Sequence, residues 1–358
     1  MRPPQLMAFR AVSTGFGLSL SLLPSSFCYP RNHVRVCHHS SPILHLFQMH
    51  MEGPSYTSDR HSSAVSSSYK TERIDGCEVF HRNLTYGKTT IHFVECGNSD
   101  GEAVILVHGF PNFWFVWKNQ LRTLGEAGYR VIAPDLRGYN TSSRPTTVES
   151  YGQDHVTYDL LQLVNCCSKD QAVLMVGHDW GGVAVWAFAE MFPNRVKKII
   201  IVNSPHFHSF RNLYQSSVQQ RLRSWYFVFF QLPWIPEAFL RFNRFWALRR
   251  MLYAFKSHSE DDVNRYVEAF ASPGALTGMI NYYRALHAGY WSKVGCSHIQ
   301  TPVEVIWGAK DPYLDSRLAH PPEHLVPNAT VLLFPQLAHW PMWDDSEIFN
   351  GALLKSLA

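Results

Sequence analysis

Short apolar runs alternate with segments of helix length through most of the chain. Residues 77–84 and 89–96 alternate apolar and polar positions on either side of Tyr86-Gly87, which predicts a β-hairpin. Ala103–Val107 is continuously apolar, and Arg130–Pro134, 173–176 and Val196–Val202 read as further strands. Helix-like segments separate them: one ending near Ala127, one over 154–166 and one over 183–191. Strands that are apolar on both faces and alternate with helices predict a mostly parallel sheet covered by helices on both sides.

At Pro205 the pattern changes. Residues 205–297 are rich in aromatics and arginines at helical spacing, hold no clear strand, and are punctuated by Pro205, Pro233, Pro236 and Pro273. The β/α alternation resumes at 303–307 and 330–334 and ends in a helix over 345–357. The core domain is therefore expected over 69–204 and 298–358, with 205–297 as a helical cap, or lid, over the C-terminal ends of the strands.

Residues 1–68 do not read as folded core. No acidic residue precedes Glu52, while Arg2, Arg10, Arg31 and Arg35 occur among many serines, a composition that fits a transit peptide. The apolar stretch 11–23 is short and Ser/Gly-rich for a membrane span, and a signal-peptide core or a start at Met49 or Met51 fits equally. Membrane association through this segment and the compartment stay open, with an intracellular location favoured. Residues 58–68 read as a polar linker.

Composition narrows the function. The net charge of +4 in 358 residues, without a long basic block, gives nucleic-acid binding little support. The seven cysteines are odd in number and scattered, which reads as reduced thiols. Cys37-His38-His39 lacks partners for a metal site, and no metal or organic cofactor is expected. Aromatic residues are abundant, with 11 Trp, 16 Tyr and 23 Phe. Oligomeric state is not legible.

The chemistry gathers at strand ends. The strand at 173–176 leads into Gly177-His178-Asp179-Trp180-Gly181-Gly182 and then a helix, the context of a nucleophile elbow with Asp179 where serine usually stands. A carboxylate there suits attack on a saturated carbon, leaving an ester whose acyl part is the enzyme's. Hydrolysing that ester needs a base, an orienting acid and an oxyanion hole. In the order nucleophile, acid, histidine, Asp311 follows the strand at 303–307 and His339 follows the strand at 330–334, with Asp315 as the competing acid. The N–H groups of Trp180 and of Phe110, in His108-Gly109-Phe110-Pro111, are the expected oxyanion donors; Pro111 has none.

With these motifs in order (H-G-F-P, D-L-R-G-Y, G-H-D-W-G-G, W-G-A-K-D and A-H-W) the chain from about Tyr69 onward resembles the epoxide hydrolases of the α/β-hydrolase fold. The resemblance extends to 224–234 and 281–284, which look like the segments carrying that family's lid tyrosines; by that match these are Tyr226 and Tyr283, with Tyr282 the nearest misassignment. It implies that two phenols receive the oxygen of an opening epoxide. Asn140 and Asn112 depart from the family's Gly and Glu, and Asn203 stands where some relatives place the triad acid.

The expectation is an epoxide hydrolase acting on a small apolar epoxide and water. Asp179, Asp311, His339, Tyr226 and Tyr283 are catalytic, and Phe110, Trp180 and Phe230 lie against substrate. The rivals are a haloalkane or haloacid dehalogenase using the same aspartate, with the Trp180 indole on the halide, and a non-catalytic binding protein of the same fold.

Overall fold

A computed structural model describes residues 64–66, 69–168, 171–255 and 258–358. The readings of the N-terminal targeting segment and of Cys37-His38-His39 lie outside the described residues. One sheet organises the rest. Its strands are β1 (Ala64–Val65), β2 (Lys70–Ile74), β3 (Cys77–Tyr86), β4 (Thr89–Gly97), β5 (Ala103–Val107), β6 (Arg130–Pro134), β7 (Val173–His178), β8 (Val196–Val202), β9 (Val303–Gly308) and β10 (Ala329–Phe334). They lie in the order β1-β3-β4-β6-β5-β7-β8-β9-β10, with β2 also paired to β3. The sheet is antiparallel from β1 to the β4–β6 pair and parallel from β6 to β10.

β5, β7 and β8 form the middle of the sheet. Val104 to Val107, Val173 to Val176 and Ile199 to Val202 are all essentially inaccessible. Burying each such side chain contributes roughly 1.5–3 kcal/mol, so this centre adds heavily to the stability of the sheet. The helices that cover it include α1 (Lys118–Glu126), α2 (Gln153–Ser168), α3 (Trp180–Met191), α10 (Pro341–Asp344) and α11 (Ser346–Leu357).

Between β8 and β9 the chain forms α4 (Phe207–Ser216), α5 (Val218–Arg223), α6 (Trp225–Phe229), α7 (Ile235–Leu252), α8 (Glu260–Ala271) and α9 (Ala275–His287). Pro236 sits in the first turn of α7, where its missing N–H costs nothing. α7 is broken at Phe242–Phe245, where Asn243, Arg244 and Phe245 take positive φ. A β-branched or bulky residue in the left-handed region is strained, so packing of the buried Phe245 side chain must hold this turn.

Two local features differ from the sequence reading. Ala64–Val65 lies within the expected polar linker, yet it pairs with Leu84 and Thr85 of β3, and Ser66 N–H bonds the Asn83 carbonyl at 2.9 Å. β2 likewise extends the hairpin into a meander. Both are edge strands, where one side pairs and the other meets solvent, so neither needs the apolar alternation that marks a half-buried strand. Asn140 has φ +43°, the left-handed geometry that Asn tolerates.

Candidate active site

β7 ends at His178, and α3 starts at Trp180, so the whole strand-to-helix turn is Asp179, at φ +52° and ψ −123°. That strain is held on both sides. The Asp179 carbonyl accepts the Ser204 hydroxyl at 2.7 Å and the Val183 N–H at 3.1 Å. A side chain at Gly181 would overlap the Val107 and His108 carbonyls, and one at Gly177 would meet the backbone of Gly181 and Gly182. Glycine is therefore obligatory where β7, α3 and the end of β5 converge.

The elbow sets the Asp179 carboxylate against the loop after β5. Phe110 N–H donates to Asp179 Oδ1 at 2.7 Å, and the neighbouring Trp180 N–H favours the charged form of this carboxylate. The Phe110–Pro111 peptide is cis. His108 fixes the loop from behind: its Nδ1 donates to the Gly109 carbonyl at 3.0 Å and its Nε2 accepts the Leu136 N–H at 3.0 Å. Burial pushes the His108 imidazole below its ordinary pKa, consistent with that neutral arrangement.

His339 lies past β10 and Asp311 past β9. His339 Nδ1 meets Asp311 Oδ2 at 2.6 Å, and His339 Nε2 faces Asp179 Oδ2 at 3.7 Å, beyond hydrogen-bonding distance. Asp311 is itself held by several donors. Its Oδ1 accepts the N–H groups of Tyr313 at 2.8 Å and Leu314 at 2.9 Å, and its Oδ2 accepts Asn203 Nδ2 at 2.8 Å. Asp315 turns away and binds Arg317 through both its backbone N–H and its guanidinium. Asp311 is the acid beside His339.

Two residues that sequence reasoning did not place complete this half. Asn203, at φ +40°, bonds Asp311 and also exchanges hydrogen bonds with Gly308, tying the end of β8 to the end of β9. His178 donates from Nε2 to the His339 carbonyl at 2.8 Å. His178 lies inside the elbow motif, and only its inward direction, visible in three dimensions, reveals its partner.

Electrostatics follow from this packing. Burial raises the Asp179 pKa against the opposing pull of His339 and of the two N–H groups. For His339, burial by itself disfavours the imidazolium. The Asp311 charge and hydrogen bond, assisted by Asp179, outweigh burial and raise its pKa above the ordinary histidine value.

The helices between β8 and β9 close the other side. Tyr226 from α6 and Tyr283 from α9 stand with ring centroids 5.7 Å apart, and both line a cavity of about 290 Å³ together with Asp179 and His339. Phe110 and Phe230 line the same cavity, which is walled mostly by aromatic and aliphatic side chains. Trp180 borders a smaller space of about 50 Å³ on the other side of Asp179, and its ring meets the Tyr283 ring edge-on with centroids 5.1 Å apart. Burial, then the nearby Asp179 charge, pushes both phenols well above their ordinary pKa, so both remain protonated donors. Tyr282 does not reach the cavity; its hydroxyl donates to the Arg137 carbonyl at 3.0 Å. Among the described residues no group of three or more His, Cys, Asp or Glu side chains is arranged to hold a metal ion.

Residues 102–346 match the family model of the alpha/beta hydrolase fold. The AB hydrolase superfamily protein YfhM of Bacillus subtilis is 39% identical over 75% of this chain and 94% of its own length. Epoxide hydrolase 2 of Caenorhabditis elegans is 31% identical over 75% of this chain and 78% of its own. The crystal structure of the Bacillus megaterium epoxide hydrolase with an inhibitor superposes with a TM-score of 0.68 at 25% identity, covering 80% of this chain and 99% of that one. The sheet order, the aspartate elbow and these relatives agree: the chain belongs to the epoxide hydrolases of the α/β-hydrolase superfamily.

Proposed function

We propose that the protein hydrolyses apolar epoxides to vicinal diols through a covalent ester on Asp179. The observation that carries this reading is the placement of the Asp179 carboxylate, whose Oδ2 is not the oxygen bonded by Phe110 N–H, in one cavity with the Tyr226 and Tyr283 phenols. Oδ1 is engaged by Phe110 N–H, so Oδ2 is the oxygen that attacks. It forms a bond to one ring carbon while the carbon–oxygen bond of the ring breaks. The released alkoxide takes a proton from Tyr226 or Tyr283, whose phenols are held in the protonated form.

In the second step His339 removes a proton from water, and the water oxygen adds to the Asp179 carboxyl carbon. Negative charge then develops on Oδ1, which already accepts the Phe110 N–H, and the Trp180 N–H is the second donor in this reading. Collapse breaks the bond between the carboxyl carbon and Oδ2, which leaves in the diol with the proton from His339; the water oxygen remains in Asp179, and its remaining proton returns to the tyrosinate. Asp311 holds the imidazole with Nδ1 protonated and stabilises its cationic form. The helices between β8 and β9 act as the lid that brings the two phenols over the carboxylate.

The dehalogenase reading has less support. A departing halide needs no proton, yet two phenols line the cavity with Asp179.

Single turnover in heavy-oxygen water tests the mechanism. The label is expected in the Asp179 carboxylate and not in the first diol formed, and Asp179→Ala is expected to lower turnover by at least about 10⁴-fold. Label in the first-turnover diol would mean direct attack by water and would end the covalent reading.

A further inference from the structure

The outer face of the α5–α7 segment is unlike the rest of the surface. Eleven of the sixteen exposed large hydrophobic residues among those described fall within residues 218–253, and every exposed Trp and Phe is among them. Trp234 is 72% exposed, Phe242 69% and Trp246 52%, which single scattered apolar side chains do not explain. In α5 and α6, Val218, Leu222, Trp225 and Val228 recur at helical spacing, so they share one side.

Charge on this face has one sign. Residues 218–253 hold six arginines and a single acidic residue, Glu237, which is already paired with Arg284 at 2.8 Å. Arg221, Arg241, Arg244 and Arg250 are exposed, and none forms an ion pair with a described carboxylate. Arg221 binds only the carbonyls of Tyr214 and Gln215, and Arg250 lies 6.0 Å from the Trp246 ring centre. Tryptophan beside arginine on an apolar face is the composition that seats at the headgroup level of a bilayer.

The cavity reaches this face. Trp225 and Phe239 are 60% and 51% exposed and also line the cavity that holds Asp179. Phe229 bridges them, with ring centroids 5.7 Å from each. Among the described residues no helix is long and apolar enough to cross a membrane.

From these features we propose that the α5–α7 face docks on the anionic surface of a lipid bilayer, with the mouth of the cavity turned toward the lipid. The exposed rings enter the headgroup boundary, and the unpaired arginines meet lipid phosphates and carboxylates. An apolar ligand dissolved in the bilayer then reaches the cavity along Trp225, Phe229 and Phe239 without crossing water. This docking does not depend on which reaction the site performs.

Flotation of the full chain with phosphatidylcholine vesicles, with and without about 30% phosphatidylserine, tests it. Two variants avoid the cavity lining: Trp234→Asn with Phe242→Ser and Trp246→Ser, and Arg241→Glu with Arg250→Glu. Asparagine is chosen at 234 because φ there is +54°. The wild type is expected to partition onto the anionic vesicles, and each variant to lose at least about tenfold of that partition. Turnover of a water-soluble epoxide should be the same in all three proteins, which separates docking from catalysis. Equal partition of wild type and variants would place any binding elsewhere in the chain and overturn the proposal. So would a wild-type dimer that the triple variant converts to monomer without a change in vesicle binding, since the face would then serve self-association.

Discussion

The two sides of the site are held by different forces. On the sheet side, Asp311 accepts four hydrogen bonds, the Asp179 carboxylate accepts the Phe110 N–H, and His339 is fixed through both Nδ1 and its carbonyl. On the insertion side, Tyr283 is positioned mainly by rings: Phe230, Phe227 and Phe110 lie with centroids 4.9, 5.2 and 5.4 Å from it. Hydrogen bonds to a charged group contribute about 1.5–3 kcal/mol each and have fixed directions. Aromatic pairs add about 0.5–1.5 kcal/mol beyond area burial and tolerate small shifts. The division suits the chemistry. In the proposed mechanism a base and an oxyanion hole must aim at one developing charge, whereas the phenols need only reach the released oxygen, which a wall that can repack allows.

Removing the base breaks the sheet side most sharply. His339→Gln should still form the ester but hydrolyse it about 10²–10⁴-fold more slowly. Intact-protein mass spectrometry after mixing with an epoxide should show a gain of one whole epoxide, mapped to the peptide holding Asp179. A mutant that binds substrate and stays unmodified would contradict the division of labour.

Tyr226→Phe with Tyr283→Phe tests the insertion side. The pair should slow ring opening by about 10²–10⁴-fold, and each single change by much less, since one phenol covers for the other. If the double variant alkylates Asp179 from an epoxide at the wild-type rate, the phenols have no part in ring opening.

A smaller effect lies in pH dependence. The anionic Asp179 helps hold the His339 pKa above its ordinary value, and esterification removes that charge. Activity in the second step appears as pH rises through the His339 pKa, because the base must be neutral. The midpoint for decay of the ester should therefore lie below the His339 pKa measured by NMR in the free enzyme. Coincident midpoints would show that Asp179 and His339 do not sense each other.

The smallest effect on catalysis belongs to Tyr282→Phe. It should leave kcat within about twofold while costing about 1–3 kcal/mol of stability, because the buried Arg137 carbonyl loses its donor. Denaturant unfolding beside steady-state rates checks both. A large fall in kcat would mean that Tyr282, not Tyr283, faces the substrate.

Tyr282 and Tyr283 show where reading the chain stops. Neighbours on a helix point about 100° apart, so one faces the cavity and the other the core. Family resemblance chose Tyr283, but nothing in local periodicity distinguishes two adjacent tyrosines on an α9 that is buried around most of its girth. The roles of Asn203 and His178 were equally invisible, since their partners lie 108 and 161 residues away. Asp311 and Asp315 both follow β9, and strand position favoured Asp311; the hydrogen bonds then separate them, with one carboxylate on His339 and the other on Arg317.

By itself, the sequence determined the elements that a local pattern dictates. Apolar runs made the buried parallel strands, paired glycines made the elbow, and strand ends put Asp179, Asp311 and His339 on one edge of the sheet, because side chains just past parallel strands share that edge. Tertiary structure alone decided which carboxylate oxygen meets the Phe110 N–H, what Tyr282 binds while Tyr283 lines the cavity, and that the aromatic and arginine-rich face of α5–α7 points outward. These depend on contacts between segments far apart in the chain, which hydrophobic periodicity does not encode.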